Sequence, residues 1–155
     1  MEMVKKEELM RMAMLEAQLA VEEGNYPFGA LVSDSIGNVI ARAHNTQITD
    51  RDPTAHAEIN LIRMLAKTRS EKDFGSFYLV CNAESCSMCF SAAIKCGIVH
   101  YVFGAPSEPH MEPYLTVTDV LKYCRNPLDI THGILAKECR EQIKRVREEQ
   151  GKLAQ

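Results

Sequence analysis

No run in this chain approaches the roughly 18 consecutive apolar residues that a membrane helix needs, so a membrane-spanning role is not expected. The segment Met1 to Glu8 carries Lys5, Lys6, Glu7 and Glu8 ahead of any apolar stretch, which is not the layout of a secretory leader. The expectation is a cytoplasmic protein whose thiols stay reduced. A basic excess is missing as well. With 18 Lys and Arg against 21 Asp and Glu the net charge is −3, whereas a protein that grips nucleic acid by its phosphates shows a basic balance or a basic stripe. Residues 136–155 hold six Lys or Arg and four Glu, a mixture that a solvated helix face carries without any partner. Internal repeats, linkers and low-complexity stretches are also absent. What is left is a chain of 155 residues, 46% apolar. That length suggests a single domain, able to bury roughly two thirds of its unfolded surface without staples.

The apolar pattern gives a coarse order of elements. Residues 4–23 read as an amphipathic helix with Leu9, Met12, Leu15 and Leu19 recurring at helical spacing, stopped by Gly24-Asn25-Tyr26-Pro27. Phe28 to Ser33 and Val39 to His44 read as two strands of a hairpin around the turn signal Ser35-Ile36-Gly37-Asn38. Residues 45–53 are a polar loop, and a helix opens at Pro53 or Thr54 and runs to about Lys67. Then follow a buried strand over 76–82, a helix over 86–96, a strand over 98–103, a proline-broken loop over 104–115, a helix over 116–124, a strand over 128–135 and a closing helix marked by Ala136, Cys139, Ile143 and Val146. A hairpin followed by helix–strand alternation implies one α/β domain, a mixed sheet with helices on both faces.

Of the six cysteines, Cys81, Cys96, Cys124 and Cys139 fall in apolar strand or helix patterns and read as core. Cys86 and Cys89 do not. They stand as Cys86-Ser87-Met88-Cys89, thirty residues after Thr54-Ala55-His56-Ala57-Glu58. At i and i+3 the two sulfurs share one helix face, and with one imidazole they make a three-ligand zinc set whose fourth position is open for water. Zinc lowers the pKa of such a water towards about 7. A carboxylate two residues past the histidine is placed to take its proton and return it to a leaving amine. Either motif alone is weak: Cys-x-x-Cys also marks redox or structural sites, and His-x-Glu is common on helix surfaces. A structural zinc would want a fourth protein ligand, which His44, His100, His110 or His132 would have to supply, none of them at a short fixed spacing.

Together the two motifs resemble the signature of the zinc deaminases, histidine-x-glutamate followed by proline-cysteine-x-x-cysteine. Over nearly its whole length the chain resembles the cytidine deaminase superfamily, in its branch of nucleobase and tRNA adenosine deaminases. Pro27-Phe28-Gly29-Ala30 is similar to the first strand of guanine deaminases. His44-Asn45 and Asp52-Pro53-Thr54-Ala55-His56-Ala57-Glu58 are similar to both guanine and tRNA adenosine deaminases, and Gly133 to Cys139 to the end of the tRNA enzymes. The resemblance implies a three-layer α/β/α sandwich around a five-stranded mixed sheet, often as a homodimer. It implies one zinc per chain on His56, Cys86 and Cys89, with Glu58 as the proton shuttle. It also makes Asn45, Phe28 and Ala57 substrate-binding, with Asn45 hydrogen-bonding the base and Phe28 lining its pocket. A turn-capping role for Asn45 and a plain core role for Phe28 stand beside that. Glu108, His110 and Glu112 in the loop 104–115 are further candidates for reading substrate. Ser85 and Ser87 depart from the prolines usual at those positions, and Ser85 is placed to cap the ligand helix instead. The expected activity is hydrolytic deamination of a small heterocyclic amine, guanine-like, with nucleic acid not favoured as a partner. A tRNA adenosine deaminase and a non-catalytic zinc-stabilised module are the alternatives.

Overall fold

The computed structural model describes residues 1–68, 74–108 and 115–153. Helix α1 spans Met3–Glu22, strand β1 Gly29–Ser33 and strand β2 Val39–His44. A short α2 over Gln47–Asp50 and α3 over Ala57–Thr68 precede β3, Tyr78–Ala83. Helix α4 is Ser87–Lys95, β4 His100–Ala105, α5 Val117–Leu121, β5 Asp129–Thr131 and α6 Ala136–Leu153. The strands lie in the order β2-β1-β3-β4-β5. Strand β1 is antiparallel to β2 and β3, while β3–β4 and β4–β5 are parallel. The five-stranded mixed sheet of the sequence reading is present.

Alternation along the central strands feeds two cores. Ala30, Val32, Leu79, Cys81, Tyr101 and Phe103 point one way, onto Ala57, Leu61 and Leu65 of α3, Phe90 and Ala93 of α4, and Val117 of α5. Leu31, Val80 and Val102 point the other way, onto Leu9, Met10 and Ala13 of α1 and Cys139 and Ile143 of α6. Strands covered on both faces read as continuous apolar runs, which is why residues 29–33 and 78–83 lack polar alternation. No described helix is long and apolar enough to cross a membrane, and the six cysteines form no disulfide.

The buried stripe of α1 differs from the expected one. Met12, Leu15 and Leu19 are exposed, and Leu9, Met10, Ala13, Glu16, Ala17 and Ala20 face the sheet. The stripe is small because the helix lies close on β1. A Cβ placed on Gly29 would sit 2.2 Å from the Ala13 carbonyl oxygen and 2.5 Å from the Ala17 nitrogen. Contact this close needs glycine on one side and alanine on the other, and outweighs the larger apolar side chains that helical spacing alone would bury.

Three boundaries also move. The polar loop 45–53 contains α2, whose Ile48 and Thr49 amides both donate to Asn25 Oδ1 at 3.0 Å. Helix α3 begins at Ala57 instead of Pro53 or Thr54, because Asp52 Oδ1 accepts from the Thr54 amide at 2.8 Å and folds that segment into a turn. Strand β5 stops at Thr131, since Gly133 and Leu135 adopt positive φ (79° and 51°) and leave extended geometry.

Beside the sheet edge, buried Glu16 gathers Arg42 Nε at 3.2 Å and His44 Nδ1 at 3.0 Å, and Glu23 reaches His44 Nε2 at 2.9 Å. Burial opposes a charge on His44, but its hydrogen bonds to Glu16 and Glu23 outweigh that and raise its pKa above the ordinary 6.5. A raised folded-state pKa adds stability that is fully present below the unfolded value and is lost as pH rises through the folded one. The melting temperature of the wild type should therefore exceed that of His44→Gln most clearly below pH 6.5, and the gap should narrow as pH rises; a gap that widens with pH contradicts the pairing. Gly29→Ala forces an added methyl into helix backbone, which cannot swing aside, and should cost about 3 kcal/mol in a urea titration.

Candidate active site

At the end of the sheet where β1 begins and β3 finishes, two ligand-bearing loops meet. Cys86 is the N-cap of α4: its φ is −70° and ψ 165°, and its Sγ accepts from the Cys89 amide at 3.5 Å. Cys89 follows inside the first turn and is fully buried. The free amides and dipole of that helix start favour the thiolate form. His56 immediately precedes α3, and Glu58 is its second residue. The sequence reading placed His56 inside the first turn and offered Ser85 as the cap of α4. Both are corrected by the later start of α3 and by Cys86 taking the capping role itself.

His56 Nδ1 lies 3.5 Å from Cys86 Sγ and 3.4 Å from Cys89 Sγ. Among the described residues these three form the one group whose ligand atoms, all within 4.8 Å of one another, would hold a metal ion. A Zn–N bond of about 2.05 Å and a Zn–S bond of about 2.3 Å at the tetrahedral angle put nitrogen and sulfur about 3.6 Å apart. One ring nitrogen equidistant from two sulfurs at that spacing is the face of such a tetrahedron. The residues therefore fit zinc. The charges fit too. The Cys86 thiol is held down to about 4, chiefly by the hydrogen bond from Cys89, against burial, with His56 adding to it. Cys89 is pushed the other way by the neighbouring Cys86 sulfur and by burial. A divalent cation between the sulfurs would remove that remaining proton.

Glu58 is 7% exposed beside this triangle. Burial raises its carboxyl above the usual range, and the Cys86 charge raises it further; its own backbone amide, the Ser85 hydroxyl and His56 pull the other way. Ser85, 2% exposed, thus turns its hydroxyl to Glu58 and, at 3.8 Å, to Cys81 Sγ. A proline there would offer neither contact.

The triangle opens into a cavity of about 230 Å³ whose lining includes His56, Glu58 and Cys86 at its floor. Phe28 and Asn45, both expected from the sequence, form one wall with Tyr26 and Gln47. Asn45 is 2% exposed. Its Oδ1 accepts from the Gln47 amide at 3.0 Å and its Nδ2 donates to Gln47 Oε1 at 2.6 Å, so it caps a turn as well as facing the cavity. The lining also carries Asn82, Glu84, Ser107 and Arg147, which sequence reasoning missed. Asn82 and Glu84 were hidden in the run towards Cys86, and Arg147 in an amphipathic helix. The Ala57 side chain packs into the core beneath α3 and is not among the cavity-lining residues. Glu108 pairs with Arg140 at 3.7 Å and does not line the cavity either. His110 and Glu112 lie outside the described residues. Of the histidines weighed as a fourth ligand, the three described ones are engaged elsewhere: His44 with Glu16, His100 with Asp129 at 2.9 Å and His132 with Glu84 at 3.4 Å.

Residues 3–105 match the family model for the cytidine and deoxycytidylate deaminase zinc-binding region. A tRNA-specific adenosine deaminase of Haemophilus influenzae is 33% identical over 139 residues, covering 88% of this chain and 80% of that protein. A probable cytosine deaminase of Schizosaccharomyces pombe is 30% identical over 139 residues, covering 83% and 84%. Among solved structures, the guanine deaminase of Bacillus subtilis superposes with a TM-score of 0.62 at 28% identity, covering 78% of this chain and 77% of that one.

Purified protein should carry one zinc per chain by metal analysis, and a Cys86→Ala, Cys89→Ala double variant should carry none. Stoichiometric zinc in the double variant would mean that the ion sits elsewhere.

Proposed function

From a chain that belongs to the cytidine and deoxycytidylate deaminase family, and so to the zinc-dependent deaminases, we propose hydrolytic deamination of a small free amino-heterocycle, guanine-like, with release of ammonia. The observation that carries the reading is a buried carboxylate, Glu58, set beside the His56–Cys86–Cys89 triangle at the floor of a cavity sized for a small ring system. Bound to His56, Cys86 and Cys89, zinc supplies Lewis acidity that makes a water molecule nucleophilic near neutral pH. Glu58 takes the proton of the attacking water and passes it to the ring nitrogen next to the amino-bearing carbon. It then takes the proton of the hydroxyl newly formed on that carbon and delivers it to the amine, which departs as ammonia as the carbonyl forms, so that Glu58 acts first as base and then as acid. Its burial beside the ligand triangle keeps it out of bulk water, where it can exchange protons with substrate rather than with solvent. Phe28 offers the ring an apolar face, and Asn45, held by Gln47, offers it a polar edge.

Guanine-like bases are favoured because the cavity lining includes Glu84, whose carboxylate is an acceptor suited to the several N–H donors of such a base. A net charge of −3 gives little long-range attraction for a phosphate backbone. A second reading, adenosine deamination in a tRNA anticodon loop, is favoured by the 33% identity to the Haemophilus influenzae enzyme and by Arg147 at the cavity wall. A homodimer is proposed with either reading, the exposed Met64 of α3 and Met88 of α4 giving it apolar surface.

A panel of free bases, nucleosides and other amino-heterocycles should yield ammonia at rates that depend weakly on salt. Glu58→Gln should keep its zinc and lose roughly two to four orders of magnitude in turnover. An inert panel alongside inosine formation in an anticodon stem-loop would replace this reading with the editing enzyme. Near-normal turnover by the Gln variant would move the proton shuttle to another group.

A further inference from the structure

Asn82, near the end of β3, has no part in the chemistry above, yet it is 1% exposed at the cavity wall and fully engaged. Its Oδ1 accepts from the Gly29 amide at 3.0 Å. Its Nδ2 donates to the Pro27 carbonyl at 3.0 Å and to Gln142 Oε1 at 3.4 Å. The two main-chain partners flank Phe28, one residue before it and one after, so a single amide side chain grips both neighbours of the residue that faces the cavity.

The grip extends further. The Phe28 amide donates to the Tyr26 carbonyl at 2.8 Å, and the Phe28 carbonyl accepts from the Asn45 amide at 3.0 Å. Phe28 and Asn45, the apolar and the polar members of one wall, are therefore joined backbone to backbone, and Asn82 holds the strand end from which both are hung. Behind Asn82, Gln142 of α6 donates to the Met14 carbonyl of α1 at 2.9 Å, which ties the clamp to two helices. Helix α1 also presses on Gly29 so closely that no Cβ would fit. The segment 27–29 is thus held by the neighbouring strand β3 and by helix α1 together.

We propose that Asn82 is a positioning residue for substrate: by fixing the peptide groups on either side of Phe28 it holds Phe28 and Asn45 in a set arrangement in the cavity wall, and so governs how tightly the heterocycle binds without touching the reacting atoms. The proposal rests on the reading that the cavity takes an amino-heterocycle. Both Nδ2 hydrogens are used within the protein, so Asn82 acts through its neighbours. Because the zinc ligands and Glu58 hang from α3 and α4, loosening the 27–29 segment leaves them in place, and its effect falls on substrate affinity.

The test uses the zinc-loaded protein and the best base of the panel. Asn82→Asp keeps an acceptor for the Gly29 amide and loses both donors. It should raise KM roughly tenfold, as small misplacements of a binding wall do, with kcat within about threefold and one zinc per chain. In a Phe28→Ala background the same change should alter KM by less than about threefold, because the wall it positions is gone. Where the Asp variant does not fold, Gln142→Leu removes one partner of Asn82 from outside the cavity and should raise KM about threefold. In the folded variant, amide exchange at Gly29 and Asn45 should speed up by about tenfold relative to Val80 in mid-strand, whatever the substrate. Unchanged KM with unchanged exchange, a fall in kcat alone, or effects of Asn82→Asp and Phe28→Ala that simply multiply would each overturn the proposal. If no base is turned over by the wild type, the base reading fails while the exchange measurement still decides the clamp.

Discussion

One buried and one half-buried cysteine sulfur, an imidazole and a buried carboxylate cannot all keep their charges in one small space unless a cation balances them. Burying a charge without a partner is costly enough that the group ordinarily gives up its charge instead. The upward shifts of Cys89 and Glu58 are that cost in protonation terms, while Cys86 is held down by its hydrogen bond from Cys89. Zinc removes it by adding two positive charges where the three ligand atoms already stand at tetrahedral spacing. The rest of the molecule is organised around keeping those atoms in place.

That task falls to the sheet. Strand β3 lies between antiparallel β1 and parallel β4, so its end adjoins the start of β1 and the end of β4 together. The loop leaving β3 delivers Cys86, the start of β1 delivers Phe28, and the loop leaving β2 delivers Asn45. Helix α3 lies across β1 and β2 with Leu61 and Leu65 in the core, which brings its start, and so His56 and Glu58, over the same sheet end. Polar side chains then lock the irregular pieces: Asn25 holds α2, Asn60 Nδ2 reaches the His44 carbonyl at 3.0 Å, and Asn82 spans Phe28. Each is buried or half-buried, and each satisfies main-chain groups that the loops leave without ladder partners.

Much of this was legible beforehand for definite reasons. The order and type of the long elements follow from apolar runs, because a strand covered on both faces has no room for polar alternation. The metal set follows from residue types and spacing, because cysteines at i and i+3 share one helix face wherever the helix sits. Less legible was the buried stripe of α1. Leu15 and Leu19 keep helical spacing as well as Ala13 and Ala17 do, and only the closeness of Gly29 selects the small face. The brevity of β5 was hidden for a similar reason, since a single left-handed Gly133 ends a strand that composition would continue.

By itself, then, the sequence determined the mixed α/β architecture, the zinc-binding triad and the carboxylate beside it, since these rest on apolar patterning and on two short motifs, His56-Ala57-Glu58 and Cys86-Ser87-Met88-Cys89, whose residue types carry the chemistry. Only the tertiary structure decided which residues face the cavity. Asn82, Glu84, Ser107 and Arg147 come from β3, the segment after it, the segment after β4, and α6. No local spacing relates them, and they meet because the parallel strands end on one edge and α6 crosses behind it. The role of Ser85 was decided there too: whether a serine caps its own helix or turns to the Glu58 carboxylate, distant in the chain, depends on which partner the packing brings within reach.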